Sequence, residues 1–307
     1  MPFCAVLAVL LALPAARAAQ KLELKDGDRV VLLGNTLIER EQRHGYWEAA
    51  LTIAHSDKNI TFRNLGWSGD TVWGEARARF GGPADGFRHL KDHVVALKPT
   101  VILLGYGLNE SFAGEAGLPN FQKGLETLLD TLAPTKARIV ILSPLKQEKL
   151  PQPLPDPAEQ NKNIKLYRDV LQKTAEKRGH GFVDLFELVD GKERLTDNGI
   201  HLTAHGYWAT GLTLSRDLGN EPAVVEIDAK KAKDLAWKSD NKRLPYPGSP
   251  APAGRIGGAA LVRVAGLAPG KYTLQACSAC GARTRWPGNA WSTCTLPSWT
   301  TGAASGE

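Results

Sequence analysis

Between Ala5 and Ala276 the chain has no cysteine, so neither a disulfide framework nor a thiolate metal site holds the bulk of it together. The four cysteines are Cys4 near the start and Cys277, Cys280 and Cys294 near the end. The last three cannot all pair, and Cys277-x-x-Cys280 has no histidine close by to complete a zinc site. Long apolar runs are equally scarce. After the first nineteen residues no stretch is long enough for a membrane helix, which excludes stable membrane insertion of the processed chain. Also missing is a basic stripe interleaved with aromatics. The formal charge of +6 is spread over the chain, with one cluster at Lys230, Lys231 and Lys233. That pattern reads as solvated surface, and no nucleic-acid partner is expected.

What is present is ordinary for a soluble globular protein: 43% hydrophobic and 23% charged residues. A length of 307 residues buries one substantial core and leaves chain for a small second module. Residues 1–19 are rich in Ala and Leu and end in Ala16-Arg17-Ala18-Ala19, a small-residue processing site. They read as a secretory signal peptide cleaved near Ala18 or Ala19, so the expected location is secreted or periplasmic. No Lys or Arg precedes the apolar core, and Cys4 lies too early for a lipoprotein cysteine.

From residue 20 to about 220, short apolar strands alternate with longer amphipathic segments. Arg29–Leu33, Ile60–Asn64, Val101–Gly105, Arg138–Leu142 and Gly181–Asp184 read as strands; most are compact apolar runs of the kind buried between helices. Phe121, Leu125, Leu128, Leu129 and Leu132 share a helical face, as do Ile164, Tyr167, Leu171 and Ala175, with Gly179 as C-cap. The expected fold is α/β, a doubly wound parallel sheet of about five strands. Five prolines between Ser143 and Pro157 imply an irregular loop crossing the surface. Residues 221–275 read as a linker and a small β module, in which Leu261–Val264 and Lys271–Leu274 flank a Gly-Leu-Ala-Pro-Gly turn. Residues 276–307 hold three of the eight Trp, no Val and no Ile, and read as an irregular tail or a shifted reading frame.

Four segments in order carry chemistry: Gly34-Asn35-Thr36, Asn64-Leu65-Gly66-Trp67-Ser68-Gly69-Asp70, Gly107-Leu108-Asn109-Glu110 and Asp197-Asn198-Gly199-Ile200-His201. Each alone is a common turn. Together they supply a hydroxyl, backbone and amide donors for an oxyanion, and an imidazole, which are the parts of nucleophilic acyl transfer.

These segments resemble the SGNH (GDSL-type) hydrolase family across roughly residues 27 to 215. The resemblance implies a flavodoxin-like sheet, an open site without metal or organic cofactor, and hydrolysis of a small acyl ester. Thr36 inherits the nucleophile's position, Gly69 and Asn109 those of the oxyanion donors, and His201 that of the general base. The chain departs from the family twice. Thr36 stands where the family has serine, and its extra methyl restricts χ1 in a tight turn. Asn198 stands where the family has the acid three residues before the histidine. An asparagine cannot stabilise an imidazolium as a carboxylate does, and it is open to holding the wrong ring tautomer. Asp197 is the other candidate to orient the ring.

Ser68, Ser111 and Ser143 are rival hydroxyls, read as loop hydrogen-bonders because none follows the first strand. Trp67, Trp73 and Tyr106 flank the same segments and either stack on a sugar ring or pack in the core. Export and the family's habits point to a small acyl ester or an acylated carbohydrate as substrate. The alternative is a catalytically impaired relative that binds glycan or a protein partner. Lipid-ester hydrolysis needs an extended apolar groove, of which the sequence gives no sign.

Overall fold

The computed structural model describes residues 22–55 and 57–220, and the strands at 223–228 and 260–265. The expected leader at residues 1–19, the expected strand at 271–274 and the cysteine-bearing tail lie outside the described residues.

Five parallel strands form one sheet: β1 (Arg29–Gly34), β2 (Thr61–Gly66), β3 (Val101–Gly105), β4 (Arg138–Leu142) and β5 (Gly181–Val183), in spatial order β2-β1-β3-β4-β5. Alternation within the strands assigns the two faces. Val30, Leu32, Leu103 and Leu142 pack beneath α1 (Thr36–Glu41), α2 (Tyr46–Ala54) and α6 (Ala204–Asp217), through Ile38, Trp47, Leu51, Tyr207 and Leu214. Val31, Leu33, Ile102, Leu104 and Ile141 pack on the opposite face under α3 (Pro83–Leu97), α4 (Leu118–Leu132) and α5 (Ala158–Arg178). With both faces covered, β3 is apolar and buried at every position, as its unbroken apolar sequence requires.

In this order the chain reverses direction across the sheet between β1 and β3, and such a switch point opens a crevice outside the strands' carboxyl ends. Glycines close all three strands there in register, Gly34 beside Gly66 on one side and Gly105 on the other. A Cβ on Gly34 would lie 2.2 Å from the Gly105 carbonyl oxygen, and one on Gly66 2.1 Å from the Glu39 nitrogen. Bare backbone therefore lets α1 sit directly on the sheet edge.

Two expectations need correction. The Pro-rich loop from Ser143 does not simply cross the surface: Ser143 and Glu148 are buried with their polar groups engaged, and Leu145 packs into the apolar core. Strands β1 and β2 extend into the first two glycine segments, to Gly34 and Gly66. The strand at Leu261–Val264 is present as β7 (Ala260–Ala265); it pairs with β6 (Ala223–Asp228), a β-branched run not expected as a strand, while the expected partner at 271–274 lies outside the described residues. This small sheet belongs to a unit separate from the α/β domain.

Candidate active site

Thr36 is the first helical residue after β1. The preceding Asn35 caps α1, its side-chain oxygen accepting from the Leu37 N–H at 3.1 Å. That cap holds the Thr36 hydroxyl at the crevice. Its Oγ1 accepts a hydrogen bond from the Gly69 N–H at 2.9 Å. Gly69 adopts φ +73, a left-handed conformation that costs glycine nothing and turns its N–H toward the threonine. Asn109 approaches from the loop after β3, donating from Nδ2 to the Asp70 carbonyl at 2.7 Å, which leaves the second amide hydrogen for another acceptor.

A buried polar cluster fixes both donor loops from below. Asp70 and Arg77 are 0% and 2% exposed and paired at 2.6 Å, and the Tyr106 hydroxyl donates to the same carboxylate oxygen at 3.0 Å. The Arg77 guanidinium also donates to the Leu65 carbonyl at 2.7 Å and the Gly34 carbonyl at 3.4 Å, joining the ends of β1 and β2. Burial raises the Asp70 carboxyl above its ordinary range, against the opposing pull of Arg77. The Glu110 carboxylate accepts from the N–H groups of Gly107 and Val72, both at 2.9 Å, tying the third segment to the second; burial pushes it up to about 7.

His201 is carried by a tight loop just ahead of α6. The Asp197 N–H donates to the His201 carbonyl at 2.9 Å, and Thr196 bridges to Leu202. From the Pro-rich loop, the buried Glu148 carboxylate accepts from the N–H groups of Leu195 and Thr196, and its own N–H donates to the Gly199 carbonyl at 2.8 Å. Thr36 and His201 line one small pocket with Arg40, under apolar walls from Leu37, Leu108, Leu145 and Ile200. Among the described residues no hydrogen bond joins Thr36 to His201.

Asn198, not Asp197, meets the imidazole. Asn198 Nδ2 lies 3.2 Å from His201 Nδ1. Asp197, 51% exposed, pairs instead with Arg40 at 3.2 Å, and Arg40 Nη1 approaches His201 Nδ1 at 3.4 Å. Partial burial, with Arg40 next, holds the imidazole below the usual histidine range.

The remaining candidates are accounted for by other contacts. Tyr106 is 1% exposed with its hydroxyl committed to Asp70, which is the core-packing alternative, although it also borders the pocket that holds Thr36 and His201. Trp67 and Trp73 are half-buried: the Arg77 guanidinium lies over the Trp67 ring at 5.6 Å, and Trp73 packs against α4 at Gly124. Ser68 donates to Glu39 and Ser111 to the Leu108 carbonyl, while Ser143 donates to Asp184 and accepts from the N–H groups of Leu185 and Phe186. The roles of Arg40, Arg77, Glu110 and Glu148 have no signature in the linear sequence. All four look like ordinary surface charges until chain reversal brings their partners to them.

The strand order and the switch-point crevice define the flavodoxin-like class of α/β folds. Within that class, the profile of the GDSL-like lipase/acylhydrolase family matches residues 33–209. The chain belongs to that family and is an esterase/acylhydrolase of the GDSL type. Solved structures agree in fold. The acetylxylan esterase Axe2 from Geobacillus stearothermophilus is 19% identical with a TM-score of 0.51, covering 64% of this chain and 97% of its own. LAE5, an α/β hydrolase enzyme from the metagenome of Lake Arreo, Spain, is 20% identical with a TM-score of 0.50 over 64% of this chain and 97% of its own. A gut microbial diltiazem-metabolizing enzyme is 19% identical with a TM-score of 0.54 over 69% of this chain, which spans only 52% of that protein. No curated protein matches the sequence.

Proposed function

We propose that the protein is an exported hydrolase that removes a small acyl group, an acetyl on a carbohydrate, at the pocket shared by Thr36 and His201. The observation that carries this is the convergence of four distant segments on one crevice, with the Gly69 N–H already bonded to the Thr36 hydroxyl. The pocket's short aliphatic walls suit a small acyl group better than a long chain. The acetylxylan esterase relative supports a carbohydrate alcohol, and the Ala/Leu-rich leader with its small-residue cleavage site supports export.

In this reading Thr36 Oγ1 attacks the acyl carbon and its proton passes to His201 Nε2. The oxyanion that forms is held by the Gly69 N–H and the free hydrogen of Asn109 Nδ2, donors fixed in advance by Arg77, Asp70 and Glu110. Collapse expels the alcohol, which takes the proton back from Nε2. Water then cleaves the Thr36 ester by the same route. The test is hydrolysis of an aryl acetate together with fluorophosphonate labelling of the Thr36→Ala and His201→Ala proteins. Both variants should lose labelling and at least about 10³-fold in turnover, the scale on which an acyl-transfer nucleophile or base acts. Undiminished hydrolysis in Thr36→Ala would overturn the assignment.

A further inference from the structure

The orientation of the Asn198 amide is fixed by its neighbours. Its Oδ1 accepts from the Ile200 N–H at 3.1 Å and the His201 N–H at 2.9 Å, so oxygen must face the backbone and the NH2 group must face the imidazole. The second group at His201 Nδ1 is the Arg40 guanidinium, which has donors only. Arg40 is held in place by Asp197, so the one carboxylate on the loop is engaged by the guanidinium and not by the ring. Both groups confronting Nδ1 are therefore N–H donors. A neutral imidazole satisfies them only by leaving Nδ1 as the acceptor and carrying its proton on Nε2.

A general base toward Thr36 requires the opposite, a bare Nε2 and a protonated Nδ1. An Nδ1 proton here would point at the Asn198 NH2 and the Arg40 cation. The doubly protonated ring, formed each time the base works, meets the same two groups, with Arg43 adding positive charge and Glu39 and Asp197 opposing it.

Building on the Thr36–His201 site, we propose that Asn198 and Arg40 are positioning residues that hold His201 in its Nε2–H tautomer. The resting ring then carries its proton on Nε2, and the base-competent form is a minor population. Turnover is scaled down by that population, as any activity is when the competent state is sparsely occupied. A carboxylate at position 198 would keep the two backbone bonds and present an acceptor to Nδ1, reversing the tautomer.

The test reads the ring directly. Long-range ¹H–¹⁵N correlation spectra of imidazole-labelled full chain, with His201 assigned by its loss in His201→Gln, should show wild-type Nε2 protonated and Nδ1 bare above the titration of the ring. In Asn198→Asp the two nitrogens should exchange character. The rate of fluorophosphonate labelling at Thr36 should rise at least 10²-fold, toward the ceiling of about 10⁴ set by the converse swap in the serine-protease triad. Arg40→Met, which removes one donor together with the Arg40–Asp197 bridge and leaves the Asn198 backbone bonds in place, should shift the same signals in the same direction by a smaller amount, and it serves if Asn198→Asp folds poorly. A wild-type ring protonated at Nδ1 would overturn the proposal. So would an Asn198→Asp protein whose tautomer reverses while its labelling rate stays at the wild-type value. Hydrolysis surviving Thr36→Ala is a separate failure, of the nucleophile assignment, and the spectra distinguish it because they need no turnover.

Discussion

Replacing Arg77 with methionine keeps most of the side chain's bulk and strips the cation that pairs with Asp70 beneath the site. Arg77 and Asp70 are 2% and 0% exposed, so solvent does not reach in to compensate. The change removes the 2.6 Å ion pair and leaves Asp70 with the Tyr106 hydroxyl as its remaining side-chain donor; it also deprives the Leu65 carbonyl of a donor. Breaking a buried pair from one side costs about 3–5 kcal/mol, because the orphaned charge is worth more than the pair. For an α/β unit of this size that is a fall in Tm of about 6–20 °C. The penalty should depend on pH. The Asp70 carboxyl is already raised, and a raised acid contributes stability that is complete at low pH and lost as pH rises through its folded value. Losing Arg77 lifts it further, so the deficit of Arg77→Met should shrink as the medium is acidified. Asp70→Asn combined with Arg77→Met should recover most of the loss, since no buried charge remains. Urea unfolding of all three proteins at two pH values measures this. A single-variant cost below about 1 kcal/mol, or a double variant no better than Arg77→Met, would refute the reasoning.

Two further outcomes are expected. Glu41 is 2% exposed and accepts the Trp47 N–H at 2.7 Å, and burial lifts its carboxyl from 4.5 to about 8. Its contribution is therefore complete below 4.5 and drains away as pH climbs toward 8, and Glu41→Gln should flatten the decline of urea midpoints across that window. Gly66→Ala drives a Cβ into the backbone of Glu39 at 2.1 Å and should cost at least the 1–3 kcal/mol typical of overpacking, whereas Gly69→Ala meets no atom within 4 Å and should cost only the roughly 1–2 kcal/mol of its left-handed backbone; calorimetry separates the two.

The scaffold was legible where local pattern and tertiary burial agree. Val101–Gly105 and Arg138–Leu142 were bounded correctly because a strand covered on both faces must be apolar throughout. The stripes of α4 and α5 were equally plain, and Gly179 caps α5 at φ +70 as expected. Other helices hide their inner faces. α6 buries Gly206, Thr210, Gly211 and Thr213 beside Tyr207 and Leu214, and α3 buries Gly86 with Leu90 and Val94, so neither presents an aliphatic stripe. At the site, segment order pointed to Thr36, Gly69, Asn109 and His201, of which Thr36 meets Gly69 and shares a pocket with His201. Their supports were not marked in this way. Glu39-Arg40-Glu41 reads as three solvated charges on a helix turn, yet Arg40 meets a histidine 161 residues away and Glu41 is sealed in the core. Contacts of that separation leave no periodicity behind. The same holds for Asn198: its identity was visible, but which end of its amide faces the ring depends on two backbone N–H groups whose direction only the folded loop sets.

The row of side-chain-free residues closing the three adjacent strands β2, β1 and β3 separates what folds the protein from what reacts in it. Because the floor of the crevice is main chain, with no room for a Cβ at Gly34 or Gly66, the groups that stand above it are supported without contributing side chains to that floor. A substitution at Thr36 or Asn198 therefore alters the groups facing the pocket and leaves the close backbone contacts beneath them in place.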